Sequence, residues 1–505
     1  MTTQLQLSDI QGNIVQAYGR ASFVFARYIF LQFKDGDKAR VFVEEVSSKV
    51  TSAALWARDP QGNIDKPKVT TNIAFSYKGL EALGVPVASL AGFPKEFIMG
   101  MKARRDILGD DGPSAPDKWD DIWQHEVHAW MSFNAQSKEA IEERYQWVVD
   151  AVNRSNGGVE LLVGHRGDDG QCNLAYQDAN AIFEDGKPTA KEHFGYRDGI
   201  SDPVFKGQNN EAGRVIGRGK LMADGSWEAL ATGEFILGHP DEAREYPKAP
   251  KPFELARNGT FMVYRKLHEN VGSFNQFLDM HGKDYPGGKE CLAAKFAGRW
   301  RDNGAPITTV PDDAAKAAWD EKYNDPNTSK AEKRRMLTDF HFDDDIEGTR
   351  CPLSAHIRRA NPRGSLRFGK QDAFDTPGAL TNRRRIIRRG LPYGVTSSPP
   401  SDDGEHGIIF MALNANIERQ FEFVQQQWIN YGNDFKESND KEPILGNHHS
   451  QPPSKVVLPV DPNSDQPPYF IGNIPRLVET RGGEYFFIPS ISALDMLAKG
   501  LVDPT

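Results

Sequence analysis

Ala26-Arg27-Tyr28-Ile29-Phe30-Leu31-Gln32-Phe33 alternates enough to read as a strand, and the elements that follow it decide the fold. Lys38 to Val50 carries helical spacing, with Phe42, Val43, Val46 and Val50 along one face. Thr71 to Ser76 reads as the next strand, and Leu80 to Leu83 as a short helix stopped by Gly84. Trp130 to Asn134 is a further strand, Lys138 to Asn153 an amphipathic helix, and Val159 to Gly164 a strand. With the short helix set aside, the order is strand, helix, strand, strand, helix, strand, which is the ferredoxin-like α+β pattern.

A comparable pattern recurs later. Gly259 to Leu267 reads as a strand, Val271 to His281 as a helix, and Ile417 to Trp428 as another helix. Gly407 to Asn414 is a continuous apolar run, expected to be a strand buried on both faces. Two long inserts interrupt this second unit: the charged, helical stretch Asp312 to Arg335, and the proline-rich Pro452 to Pro475, expected to be an ordered surface loop. The expected fold class is therefore α+β, two ferredoxin-like domains with antiparallel sheets and peripheral helices, divided as 1–205 and 206–505.

A length of 505 residues exceeds what one hydrophobic core organises, in agreement with two domains. A net charge of −9 argues against nucleic acid as the main partner. No stretch approaches the roughly 18 apolar residues of a membrane helix, so no membrane partner is expected. The opening Met1 to Asp9 lacks a basic region and an apolar core, giving the expectation of a cytoplasmic chain without a secretory signal. The three cysteines, Cys172, Cys291 and Cys351, are too few and too scattered for a disulfide framework or a zinc site, and are expected to be reduced thiols.

Three segments carry the candidate chemistry. In Gly195-Tyr196-Arg197-Asp198-Gly199 an acid sits between two glycines, where the backbone approaches closely and a carboxylate projects; locally the same residues also suit a plain turn. Asp202-Pro203 then sets a second bend. In Cys351-Pro352-Leu353-Ser354-Ala355-His356-Ile357-Arg358-Arg359, one histidine stands among small or apolar residues, and Arg358, Arg359 and Arg363 supply cations nearby. A bulky, flat, anionic cofactor such as haem, apolar in its plane and carrying two carboxylates, suits that setting; a satisfied polar histidine is the plainer alternative. The third segment, Asn382 to Gly394, is rich in arginine, and the interposed Ile386-Ile387 and the turn Gly390-Leu391-Pro392-Tyr393-Gly394 favour a buried anion clamp over nucleic-acid binding. Cys351 as a thiolate ligand competes with Cys351 as a small buried residue. His125-Glu126-Val127-His128 is one residue short of the HExxH zinc motif and is rejected as a metal site.

In this order, the three segments resemble the dye-decolourising peroxidases, a family of haem enzymes. The resemblance extends to Ile10-Gln11-Gly12, Gly298-Arg299-Trp300 and Asn416 to Phe421, so it spans nearly the whole chain, and the long inserts look like the larger bacterial and fungal members. It implies two ferredoxin-like domains with haem b held mainly by the second. It also implies His356 as the axial iron ligand, Asp198 as the distal acid and Arg388 as the distal arginine. Arg358, Arg359, Asn361 and Arg363 are expected around the cofactor, with Ile408 and Phe410 walling the distal pocket or serving as plain core.

The implied reaction reduces hydrogen peroxide and oxidises dyes, phenols or other one-electron donors. Asp198 would move a proton between the peroxide oxygens, and Arg388 would stabilise the negative charge that develops. Asn361 and the Asn414 to Glu418 segment are candidate partners for the second ring nitrogen of His356. Asp343, Asp344, Asp345 and Glu347 offer oxygen ligands to Mn²⁺ as a further substrate, or form a solvated acidic turn. Large dyes would donate electrons through surface tryptophans or tyrosines. The competing function is a haem-binding or haem-handling protein with little turnover, which would need His356 and the arginines but not Asp198.

Overall fold

The computed structural model describes residues 5–209, 211–366, 379–449, 452–459 and 466–504. In its first half β1 (Phe25–Phe33) is followed by α1 (Gly36–Ser47), β2 (Val69–Phe75), β3 (Ala129–Ala135), α2 (Lys138–Arg154) and β4 (Val159–Leu161). The helices start where the sequence supplies side-chain caps: Asp35 accepts from the Lys38 amide at 3.1 Å and Ser137 from the Ala140 amide at 3.3 Å. Phe42, Val43 and Val46 of α1 are buried as the spacing requires.

The second half holds β5 (Thr260–Glu269), α3 (Val271–His281), the short helix α4 (His356–Ala360), β6 (Ile387–Arg389) and β7 (Gly407–Asn414). It closes with β8 (Val478–Ile488) and α5 (Ile491–Lys499), which packs on α1. The Ile417 to Trp428 segment is helical but wound as π-helix, over Glu418–Glu422 and Val424–Ile429.

Sheet order runs β6-β7-β5-β8-β2-β3-β1-β4. Each half thus repeats one arrangement, with its first and last strands side by side and its third strand on the other flank of the first, which is the ferredoxin-like order. The halves join at an antiparallel contact of Phe487 with Phe75. β1 pairs with β3 from Phe25↔Ala135 to Leu31↔Ala129, and β5 pairs with β7 from Phe261↔Asn414 to His268↔Gly407. The sheet curls without closing, so that Phe30 of β1 meets Tyr264 of β5 at 5.2 Å and Phe486 of β8 at 6.1 Å between ring centroids.

Two expectations need correction. β7 is not buried on both faces: Ile408 and Phe410 are only half-buried and face a cavity, while Ile409 and Met411 point into the core. The proline-rich insert is not wholly loop, because Lys455–Leu458 pairs with Tyr469–Gly472 as a hairpin; residues 460–465 of that insert lie outside the described part. The charged insert is helical, as Asp313–Asn324 and Lys330–Thr338. No described helix is long and apolar enough to cross a membrane.

Candidate active site

A cavity of about 260 Å³ lies between the curled sheet and the segments around α4, lined by residues from both halves of the chain. Asp198, Arg388, His356, Asn361, Arg363, Ile408 and Phe410 all line it. Arg358 and Arg359 do not.

The loop carrying Asp198 is held by backbone contacts. Gly195 and Gly199 adopt φ of 96° and 75°, a region costly for any residue with a Cβ. The Asp198 amide donates to Ala190 O at 2.8 Å, Tyr196 donates its hydroxyl to Ala293 O at 2.7 Å, and Arg301 donates to Phe194 O at 3.1 Å. The Asp198 carboxylate accepts from the Gly199 amide at 2.5 Å and is paired with Arg388. Arg388 sits on the edge strand β6, where Asp202 accepts from its amide at 3.3 Å and from the neighbouring Arg389 guanidinium at 3.2 Å. The second bend thus fixes the arginine that meets the first. Asp198 holds the Arg388 guanidinium more firmly in its charged form than in water, against the opposing effect of burial.

His356 opens α4 and is about one-third exposed, toward the cavity. Its Nδ1 lies 3.5 Å from Oε1 of fully buried Glu442, leaving Nε2 with no hydrogen-bond partner among the described residues. Glu442 feels burial pushing its carboxyl up, and the His356 charge with the Leu445 and Ile444 amides outweighs that and pulls it below the usual range. Neither Asn361 nor the Asn414 to Glu418 segment takes this place; the amide oxygen of Asn361 is buried without a partner. Glu442 was invisible in the sequence because it stands 86 positions from His356 in an irregular segment with no periodic signal.

Arg358 and Arg359 anchor α4 from behind. Arg358 donates to Cys351 O at 2.7 Å and Asp345 Oδ2 at 3.2 Å; Arg359 donates to Glu437 at 2.7 Å and Trp428 O at 2.7 Å. Their charges are spent on protein groups, which is the physical reason they are not cavity residues. Asp345 therefore faces inward rather than solvent, and no group of three metal-ligating side chains occurs among the described residues. Cys351 is fully buried, its thiol pushed up to about 11 by burial, and it does not line the cavity.

Besides Arg388 and Arg197, the cations that line the cavity are Arg363 and two that the sequence offered only within longer motifs, Arg299 and Arg385. Arg299 bonds Gly304 O, Leu337 O and the Ser201 hydroxyl; Arg363 bonds Thr338 O and Phe340 O; Arg385 bonds Gly219 O and Arg218 O. Among the described residues, none of the three forms an ion pair with a carboxylate. Burial outweighs the pull of nearby acids and thiols and lowers all three, Arg299 to about 9, Arg385 to about 10 and Arg363 well below its usual value. Phe340, Phe342, Ile357, Ile386 and Phe421 supply an apolar lining between them. Unpaired buried guanidiniums, a flat apolar slot and an imidazole with one free nitrogen fit a planar dianion that carries a metal.

Residues 9–166 match the family model described as the DyP dimeric alpha+beta barrel domain. The dye-decolorizing peroxidase msp1 of Mycetinis scorodonius is 28% identical, over 97% of this chain and 87% of its own length. Over nearly its whole length the chain is similar to the dye-decolourising peroxidases. A second member, the multifunctional dye peroxidase DyP2 of an Amycolatopsis strain, is 27% identical over 97% of this chain and 96% of its own. The solved structure of an ancestral D-type dye-decolorizing peroxidase superposes with a TM-score of 0.72 at 26% identity, covering 97% of this chain and 99% of that one. This similarity supports a peroxidase of the oxidoreductase class and implies haem as its cofactor.

Proposed function

We propose that this chain binds haem b in the cavity, reduces hydrogen peroxide there, and oxidises dyes, phenols and other one-electron donors. What carries the reading is that His356 and the Asp198–Arg388 pair line one cavity whose buried arginines lack carboxylate partners. His356 would hold the iron through Nε2, with Glu442 behind Nδ1 strengthening the imidazole as a donor. Arg299, Arg363 and Arg385 are the cations available to the two haem carboxylates, while Ile408, Phe410 and Asn361 complete the wall. The division at 205 assigns most of these groups to the second domain, with Asp198 reaching in from the first. Bound there, haem supplies a redox-active iron that accepts peroxide and two oxidising equivalents.

The chain's own part is proton and charge handling. Asp198 accepts a proton from the inner peroxide oxygen and returns it to the outer one, which leaves as water; such help is typically worth about 10²–10⁴-fold. Arg388 stabilises the negative charge that grows on the outer oxygen as the O–O bond breaks. A second cavity of about 610 Å³ shares Asp198, Arg388 and Ile408 with the first and gives peroxide a polar approach to them. Mn²⁺ is the weaker donor in this scheme, because Asp345 is committed to Arg358 and leaves Asp343, Asp344 and Glu347 alone to hold it.

The test is the absorption spectrum of the haem-loaded chain before and after one equivalent of hydrogen peroxide. Conversion of the ferric Soret band within seconds, reversed by a reducing dye, is the expected result. With haem occupancy matched, Asp198→Asn and Arg388→Leu slow that conversion about 10²-fold or more. A Soret band indifferent to peroxide would mean haem handling instead, and a chain that takes up no haem would remove His356 as a ligand.

A further inference from the structure

Among the arginines that ring the cavity, its wall also holds two acids that form no ion pair with a cation among the described residues. Glu269 ends β5 and is 4% exposed; Glu192 lies in the loop that leads to Asp198 and is half-buried. The Glu192 carboxyl is fixed by the Phe194 amide at 2.8 Å and the Tyr196 amide at 2.7 Å, and Glu269 accepts from the His193 amide at 3.3 Å. Glu269 accepts from the amide next to Glu192 and both carboxyls line the same wall, which brings them within hydrogen-bonding reach of each other. Two ionised carboxylates have no hydrogen to share, so a hydrogen bond between them requires a proton on one of them.

We infer that Glu192 and Glu269 form a carboxyl pair that feeds protons into the cavity, one for each electron taken from the donor. The inference rests on the peroxidase reading. The overall reaction is H₂O₂ + 2 H⁺ + 2 e⁻ → 2 H₂O. Asp198 merely moves a proton that peroxide already carries, and that completes the first water. The second oxygen leaves as water only after taking up two electrons and two further protons. A phenol oxidised outside the cavity gives up one electron and releases its proton to solvent, so the cavity's proton has to come through protein. Glu269 donates it, Glu192 replaces it across their hydrogen bond, and Glu192 is recharged from solvent between the two one-electron steps.

The surroundings favour a stored proton. Besides each other, the pair faces Asp198, Tyr196, Tyr393 and the backbone of His406, with the Arg301 guanidinium acting on Glu192. Arg301 is itself bonded to Glu290. Burial, and for Glu269 the neighbouring carboxyl, push Glu192 up to about 7 and Glu269 well above its ordinary value. Both shifts favour a proton held on the pair.

Stopped-flow measurements on the haem-loaded full chain separate the peroxide-dependent step from the dye-dependent step, and infrared spectra of the same samples report the protonated carboxyl. The resting protein at pH 7 is expected to show a carboxylic-acid C=O band that survives Asp198→Asn, disappears in Glu269→Gln and shifts in Glu192→Gln. Glu269→Gln is expected to slow the dye-dependent step about 10-fold more than the peroxide-dependent step. In the unmodified protein the dye-dependent rate should fall as pH rises through about 7, and Glu192→Gln should abolish that dependence. Should Glu269→Gln fail to fold, the pH profile and band shift of Glu192→Gln decide alone. A dye-dependent step unchanged in both variants, with the band present or absent, overturns the pair's role while leaving the peroxidase reading intact. Failure of the unmodified chain to react with peroxide overturns the peroxidase reading instead, and the pair's role with it.

Discussion

Replacing Arg385 by methionine should affect the haem-free and haem-loaded protein in opposite directions. The Arg385 guanidinium is 5% exposed, and its only hydrogen bonds among the described residues are to Gly219 O at 3.2 Å and Arg218 O at 3.4 Å. Burial, against an opposing pull from Asp202, lowers it from the usual guanidinium range to about 10. At 1.36 kcal/mol per unit, the charged form is disfavoured in the fold by about 3 kcal/mol. Because the folded value lies below the unfolded one, that cost is present in full at neutral pH and is relieved only as pH climbs beyond about 10. Methionine of similar length removes the charge, at the expense of two long hydrogen bonds together worth about 1–2 kcal/mol. The haem-free variant should therefore be about 1–2 kcal/mol more stable in urea unfolding. Haem titration should show the reverse, since a cofactor carboxylate no longer meets a cation that was waiting for it. Recovery of most of the 3 kcal/mol by that contact corresponds to about a 100-fold loss of affinity. A haem-free variant destabilised by more than about 2 kcal/mol, with unchanged affinity, would show that Arg385 is structural and refute the argument.

Two further outcomes follow from buried charge elsewhere. Arg358→Ala leaves Asp345 buried without its guanidinium and should lower stability in urea by about 3–5 kcal/mol, most of which a combined Arg358→Met and Asp345→Asn variant should restore. Glu234, fully buried beside Arg419 and Arg383, is pushed from 4.5 to about 7 chiefly by burial. A carboxyl with a raised folded value favours the fold while protonated, so its contribution of about 3 kcal/mol is lost as pH rises from about 4.5 through 7. Glu234→Gln should flatten thermal stability across that window, and an unaltered pH slope would count against the burial argument.

The contrast between what was legible in the chain and what was not follows from the range of the signals. Periodicity is local, and it located β1, α1, β2, β3, α2, β5 and β7 to within a few residues. β8 left no such trace, although its eleven residues join the two halves of the sheet. Glu479, Arg481, Gly482, Gly483 and Glu484 interrupt its apolar pattern, and each interruption has a tertiary cause. The Cβ of a side chain at 482 would fall 1.8 Å from the Trp123 indole nitrogen, and Glu484 accepts from the Met101 amide at 2.8 Å. Arg481 reaches the charge network around Glu405, where Lys266 meets Asp120 at 2.6 Å. A strand chosen by its neighbours rather than by its own alternation cannot be read from the alternation.

The same distinction governs the site. Asp198, His356 and Arg388 each announce themselves because glycine, proline and arginine cluster around them in sequence. Arginine content alone could not separate Arg358 and Arg359 from Arg363 and Arg385, since what distinguishes them is the partner each meets across the fold: Asp345 and Glu437 for the first two, and among the described residues carbonyl oxygens for the others. A guanidinium that has spent its charge on a carboxylate holds the protein together, whereas one that has not is free to hold a ligand. The functional arginines are thus recognised by what they lack, and that absence becomes visible only once the chain is folded.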